Sequence, residues 1–194
     1  MKKIITKKQR AKKTQKNQAI IGIVLIALMV FSSLGYALGS DKNSEDNKKI
    51  NYNDIDFIRN ENGYWYFDLD GNDFVTMYNP KEVESIDFKG YFTLSDYSDK
   101  PLYMVNEFDD VNFEIINNLN RFIQRSQKAC ISEKNCLGNF PIKNCSMDNI
   151  IIVEEAGLEE SEEIYQIDNC VFIKSSLVNQ TKYADAFLFK ILEI

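Results

Sequence analysis

Residues 62–80, NGYWYFDLDGNDFVTMYNP, contain the clearest β-sheet signal in the chain. The Asn-Gly and Asp-Gly dipeptides at 62–63 and 70–71 readily adopt the positive φ angles of tight hairpin turns. Between them, residues 64–69 alternate in polarity, as in a strand with one buried face. The stretch and its flanks predict an antiparallel meander with strands at about 55–60, 64–69 and 73–78. The side chains predicted to face the core are Trp65, Phe67 and Leu69.

The rest of the C-terminal part predicts more strands and two amphipathic helices. Apolar runs of strand length occur at 102–106 and 150–153, and a hairpin is predicted from 164–167 and 170–173. Apolar residues at helical spacing predict a helix at about 110–127, with Val111, Ile115, Leu119 and Phe122 on one face. A second helix is predicted at about 179–193, with Asn179 as its N-cap. We therefore expect an α+β fold, with the two helices packed on one face of a mainly antiparallel sheet.

The N-terminal part has a different composition, which predicts a membrane anchor. Residues 1–18 contain eight Lys or Arg and no acid, whereas residues 19–38, AIIGIVLIALMVFSSLGYAL, contain no charge. A helix of that length spans roughly 30 Å, the thickness of the hydrocarbon core of a bilayer. We expect a basic tail at 1–18, a transmembrane helix at 19–38, a linker at 39–50 and an α+β domain at 51–194.

The charge distribution also predicts how the chain is oriented in the cell membrane. The positive-inside rule keeps the basic tail in the cytoplasm and places residues 51–194 outside. A cleaved signal peptide, with small residues at Ala37 and Gly39, would give the same location, but the apolar run is longer than is usual for such signals. The predicted partners are the lipid bilayer and other envelope proteins. No nucleic acid is expected, because the tail is explained by contact with anionic headgroups.

Four cysteines, an even number, lie on the predicted outer side, where disulfides persist. Three pairings are open, and sequence distance favours Cys130 with Cys136 and Cys145 with Cys170. A four-cysteine zinc site is the alternative, although the spacing lacks the short knuckles of such sites. Two N-x-[ST] sequons, at Asn144 and Asn179, are candidate glycosylation sites.

Nothing in the sequence indicates catalysis or a cofactor. The chain has no histidine, which excludes Ser-His-Asp and Cys-His catalysis and histidine-ligated metal sites. DLDGND at 68–73 resembles part of a calcium loop, but a hairpin turn explains it, and no metal site is expected. The acidic run at 154–163 is predicted to be a solvated loop. We therefore expect no enzyme and no catalytic, cofactor-binding or metal-binding residues.

Several short motifs carry a resemblance. The basic tail, the span ending in MVFSSLGYAL, the segments NGYWYFDLDG and MYNPKEVESI, the NC and NCVFI cysteines and the terminal YADAFLFKILEI resemble an uncharacterised family of small single-pass archaeal membrane proteins. The resemblance implies the same topology and a Cys145–Cys170 disulfide, and no catalytic role.

Two functions follow as expectations. The first is an interaction or structural module at the cell surface, held by a single-pass signal anchor. The second is a pilin-like filament subunit, because KNQAIIGIVLIALMV at 16–30 looks like a pilin-type signal, although Asn17 stands where such signals have glycine. An envelope enzyme is the weakest alternative.

Overall fold

The computed structural model describes residues 20–30, 48–106, 109–136, 138–157 and 159–194. The chain divides into two compact units, Met1–Asp46 and Asn47–Ile194. In the first unit, residues 20–30 form a helix with mostly exposed side chains. The predicted basic tail, the rest of the predicted span and most of the linker lie outside the described residues. Within the described ranges, no helix is both long and apolar enough to cross a membrane.

The second unit begins with a four-stranded antiparallel sheet. Its strands, in spatial order, are β1 (Lys49–Tyr52), β2 (Ile55–Arg59), β3 (Trp65–Leu69) and β4 (Asn72–Thr76). This confirms the predicted meander, and Gly63 and Gly71 have φ angles of 91° and 76°. Trp65 and Phe67 are buried, as predicted.

Strand β1 was not predicted, and its first two residues lie in the predicted linker. β1 pairs with β2 through a turn in which Asn53 and Asp54 have positive φ angles. That turn contains no glycine and the strand is only four residues long. The local sequence therefore carries little signal for a strand that is held by its neighbour.

The remaining six strands form a second sheet. They are β5 (Phe88–Lys89), β6 (Pro101–Val105), β7 (Arg125–Lys128), β8 (Asn149–Glu155), β9 (Glu163–Ile167) and β10 (Cys170–Ser175). Their spatial order is β5-β9-β10-β8-β6-β7. The β9–β10 hairpin is antiparallel, as predicted, but β5–β9, β10–β8, β8–β6 and β6–β7 are parallel pairs. The expectation of one mainly antiparallel sheet is therefore wrong for this part, because crossovers through a helix and loops bring distant strands side by side.

Four α-helices belong to the second unit in the described ranges: α1 (Pro80–Val83), α2 (Leu94–Tyr97), α3 (Asp109–Leu119) and α4 (Gln180–Ile191). A 3-10 turn covers Glu133–Asn135. The predicted helix at 110–127 is too long, because residues 125–128 leave the helix to pair with β6. Phe122, predicted on the helix face, instead follows the helix and stacks on Phe74, with ring centroids 5.9 Å apart.

Helices α3 and α4 pack against each other; α3 also contacts β4, and α4 contacts strands β9 and β10. Phe189 of α4 contacts Phe57 and Phe67 of the antiparallel sheet, whereas Phe187 contacts Phe88 of the mixed sheet. Residues two apart on a helix point in nearly opposite directions, so α4 packs against both sheets. Helix α4 is therefore buried on two sides, instead of covering one face of one sheet as expected, whereas α3 keeps an exposed face that includes Phe113. The opposite face of the antiparallel sheet is left to solvent.

Candidate interaction surface

The solvent face of the antiparallel sheet carries an unexpected row of apolar side chains. In the strand register, Ile58 lies opposite Tyr66, and Tyr66 lies opposite Val75. Ile58 is 54% exposed, Tyr66 is 43% exposed, and Val75 is half-buried. The solvated face of such a sheet is ordinarily polar, so these apolar side chains depart from the usual pattern. We call Ile58, Tyr66 and Val75 the apolar row.

Two residues further along each strand, the same face carries three aspartates. Asp68 and Asp73 lie directly opposite each other, and the register of β2 and β3 places Asp56 beside Asp68. We call these three residues the acidic row. Asn51 donates to Asp56 at 3.0 Å and Lys49 forms an ion pair with it at 2.9 Å, and together they lower the pKa of this carboxyl. The acidic row is about 7 Å from the apolar row, the distance of two residues along a strand.

Two polar side chains of the β3–β4 turn, those of Asp68 and Asn72, form hydrogen bonds within the turn. Asp68 Oδ1 accepts a hydrogen bond from Gly71 N at 3.2 Å, and Asn72 Nδ2 donates to the carbonyl oxygen of Asp70 at 3.3 Å. Asp70 and Gly71 both have positive φ angles, as a tight hairpin requires. In the described residues, no group of three or more acidic or sulfur ligands is placed to hold a metal ion.

The outer edge of β4 is held by an amide on helix α3. The buried Asn118 accepts a hydrogen bond from Val75 N at 2.9 Å and donates one to Val75 O at 2.7 Å. The side chain thereby replaces the neighbouring strand that an edge residue lacks. This contact fixes the backbone that presents one end of the apolar row.

Two buried carboxyl groups bind the backbone of the residues that follow β4. Asp185 Oδ2 accepts hydrogen bonds from Met77 N at 3.1 Å and Tyr78 N at 2.8 Å, and Glu114 Oε1 accepts from the same Met77 N at 3.1 Å. Asp185 is completely buried and Glu114 nearly so. Burial raises the pKa of both carboxyls, and the adjacent Glu114 raises that of Asp185 further. A proton shared between them is the arrangement that avoids two buried like charges.

The buried pair of Glu114 and Asp185 was not predicted, although the sequence contains a signal for it. Asp185 interrupts the apolar stripe of a helix between two alanines, and Glu114 directly precedes the buried Ile115. A charged residue at a core-facing position calls for a specific partner. The identity of the partner depends on the tertiary fold, because positions 114 and 185 are far apart in sequence.

The four cysteines form the two disulfides that sequence distance favoured. The Cα atoms are 5.5 Å apart in Cys130–Cys136 and 5.0 Å apart in Cys145–Cys170. Cys170 lies opposite Ile150 in the β8–β10 ladder, so the second disulfide joins β10 to the segment that leads into β8. No free thiol is left as a zinc ligand.

The asparagine side chains of the two sequons have different hydrogen-bond partners. Asn144 is exposed, and its side-chain oxygen accepts a hydrogen bond from Ser146 N. Asn179 occupies the N-cap position of α4, as predicted, but its side chain makes no capping hydrogen bond; its Nδ2 donates to both carboxylate oxygens of Glu162, at 2.9 and 3.1 Å. Asn179 Nδ2, the atom that a glycan would use, is therefore already engaged in the fold.

The acidic run at 154–163 is only partly the solvated loop that was expected. Hydrogen bonds from the side chain and the backbone of Ser176 lower the pKa of Glu162, which fastens the run to the segment before α4. Glu160 pairs with Lys174 at 3.0 Å. Glu155 and Glu159 are exposed, as predicted.

Two clefts lie on either side of Lys190 near the end of α4, and neither forms an enclosed site. The larger, of about 420 Å³, is lined by residues 90–93, Lys190 and residues 193–194, with Asn53 at its rim. Its aromatic wall, Tyr91, is 96% exposed. A ligand there would remain largely in water, unlike the buried ligands of typical small-molecule pockets.

Comparisons of the chain with protein-family models, with curated proteins and with solved structures find no match. The resemblance to archaeal single-pass membrane proteins therefore stays a prediction. Of what it implies, the structure supports a disulfide-containing domain.

Proposed function

We propose that this protein is a single-pass, membrane-anchored interaction module whose C-terminal unit lies outside the cytoplasm. The observation that carries the proposal is the apolar row, which stays exposed on a sheet whose other face is buried. The partner is another envelope protein, bound through the solvent face of the antiparallel sheet.

Two further observations support the location. Residues 1–18 are strongly basic and residues 19–38 are uncharged, which is the composition of an anchor with a cytoplasmic N-terminus. The C-terminal unit contains two disulfides, which form and persist in oxidising compartments outside the cytosol.

The rigidity of the surface supports binding. Asn118, Glu114 and Asp185 hold the backbone of residues 75–78 from the helix side, so the outer face is presented on a fixed scaffold. Preorganised surfaces lose less conformational entropy when they bind.

Site-specific photo-crosslinking of the full chain in its native membrane tests the proposal. A photoreactive side chain at Tyr66 should give a discrete adduct, whereas one at Val178, which is 83% exposed on a loop, should give none. Replacing Ile58 by Thr should weaken the Tyr66 adduct. Adducts of equal yield from both positions, or none from Tyr66, would show that this face is not the binding surface.

A further inference from the structure

We infer that the partner presents a basic segment, with at least two Lys or Arg side chains beside an apolar one, to the outer face of the antiparallel sheet. The inference rests on the proposed function, because it assigns the chemistry of the partner at the same surface. The acidic row would bind the cations and the apolar row the apolar side chain.

The charges of the acidic row are only partly compensated within the protein. Asp56 has its own cation in Lys49. No lysine or arginine in the described part of the chain forms an ion pair with Asp68 or Asp73. Like charges directly opposite each other on neighbouring strands destabilise a sheet. A partner that brings cations to Asp68 and Asp73 removes the repulsion between them, and this relief contributes to the free energy of binding.

The spacing of the row fits a basic peptide segment. Neighbouring strands lie about 4.8 Å apart, which sets the distance between Asp68 and Asp73 along the row. Bases one turn apart on a helix are about 5–6 Å apart, and alternate residues of an extended chain are about 7 Å apart. Both arrangements reach the two carboxylates while an adjacent apolar side chain reaches Tyr66.

Charge argues against the other occupants of this face. A second copy bound through the same face would oppose two acidic rows, and anionic lipid headgroups or nucleic acid would be repelled. The other acidic residues of the C-terminal unit cannot substitute for the acidic row in binding a cation at this face, because exposed charges farther away than about 10 Å are screened by salt.

The test uses the full chain in detergent and a synthetic peptide of alternating lysine and leucine, with a glutamate–leucine peptide as the charge-reversed probe. Asp68→Asn/Asp73→Asn should weaken binding of the lysine peptide about tenfold, which corresponds to about 1.4 kcal/mol. Asparagine keeps an acceptor for Gly71 N, so the turn is preserved. Glu155→Gln/Glu159→Gln removes the same formal charge from an exposed site elsewhere and should change binding less than about twofold.

A second pair of variants tests the apolar half of the surface. Tyr66→Ser should weaken binding of the lysine peptide, whereas Tyr91→Ser, at a more exposed tyrosine outside this face, should not. Equal losses in both charge variants, or equal binding of the glutamate peptide, would overturn the inference. So would a concentration-dependent dimer that Tyr66→Ser abolishes, because the occupant would then be a second copy.

The two proposals fail in different ways. If photo-crosslinking from Tyr66 succeeds while the lysine peptide binds Asp68→Asn/Asp73→Asn as tightly as Glu155→Gln/Glu159→Gln, the surface binds a partner of other chemistry. If crosslinking from Tyr66 also fails, the proposed function itself is wrong.

Discussion

At the scale of single residues, the buried carboxyl pair explains how a polar contact can hold the edge of a sheet. Asp185 and Glu114 share Met77 N as a donor, and no cation from the described residues contributes to the pKa shift of either. A protonated pair has the lowest electrostatic cost in this position. Deprotonation leaves two buried charges beside each other and weakens the junction of β4 with the helices.

Asp185→Asn should therefore stabilise the protein relative to wild type increasingly as the pH rises. Burial raises the folded-state pKa of Asp185 well above its ordinary value of 3.8. A carboxyl with a raised pKa contributes fully to stability below its unfolded pKa, and the contribution is lost as the pH rises toward the folded pKa. Urea unfolding at pH 4 and pH 8 should show the difference between variant and wild type growing by about 1 kcal/mol or more.

The control for this prediction is Asp185→Ala. It removes the acceptor for Met77 N and Tyr78 N and should be less stable than Asp185→Asn by about 1–3 kcal/mol at both pH values, because neither asparagine nor alanine titrates. A difference between Asp185→Asn and wild type that does not change with pH would contradict a shared proton.

Gly71 lies in the β3–β4 turn at a backbone conformation that favours glycine. Its φ angle is 76°, and a Cβ atom added there would meet no atom within 4 Å, so a substitution acts through backbone strain alone. Gly71→Val should cost more than about 1 kcal/mol, whereas Gly71→Asn should cost much less, because asparagine tolerates positive φ. Thermal unfolding measures both, and equal melting temperatures would argue against a strained turn.

At the scale of elements, the two disulfides have different structural roles. Cys145–Cys170 has a sequence separation of 25 and ties β10 to the segment before β8, whereas Cys130–Cys136 has a separation of 6 and closes a surface loop. In the chain-entropy model the longer loop contributes about 3.5 kcal/mol and the shorter about 2.4 kcal/mol. The longer bridge also joins parts of the core.

Cys145→Ala/Cys170→Ala should accordingly lower the free energy of unfolding more than Cys130→Ala/Cys136→Ala. Chemical unfolding of the two double variants under oxidising conditions measures the difference. Non-reducing peptide mapping of the wild type should recover each pair as a linked peptide. Equal losses, or a peptide joining Cys136 to Cys145, would contradict these roles.

Helices and strands were predicted correctly where neighbouring residues in the sequence encode them. The meander was predicted because its turns are encoded by adjacent residues, and the β9–β10 hairpin for the same reason. β7 was missed because its four residues are all exposed and its strand state comes only from pairing with β6. The parallel order of the mixed sheet was missed because periodicity identifies strands and not their neighbours.

At the scale of the whole molecule, the proposed topology makes a direct prediction. An epitope after Ile194 should react with a membrane-impermeant antibody on intact cells, and an epitope at the N-terminus only after permeabilisation. The physical reason is the asymmetry between the basic residues 1–18 and the nearly neutral flank after residue 38. A C-terminal epitope that stays protected until permeabilisation would refute this topology.

Intact mass of the membrane-extracted protein separates the anchor from its alternatives. Retention of residues 1–18 supports a signal anchor, whereas loss of the basic segment up to the apolar run would favour the pilin-like subunit. Loss of the whole apolar run would show a cleaved signal peptide.

Local patterns were enough to predict the α+β class, the meander and the β9–β10 hairpin, and sequence distance favoured the cysteine pairing that the structure has. Packing in three dimensions was needed to place α4 against both sheets, to align β6, β7, β8 and β10 in parallel, and to bring Glu114 next to Asp185. It also decided that Ile58, Tyr66 and Val75 form one row, because strand register brings together residues that are not adjacent in the chain. Contacts between distant segments depend on packing and loop closure over the whole unit, and a local period of two or 3.6 residues does not encode them.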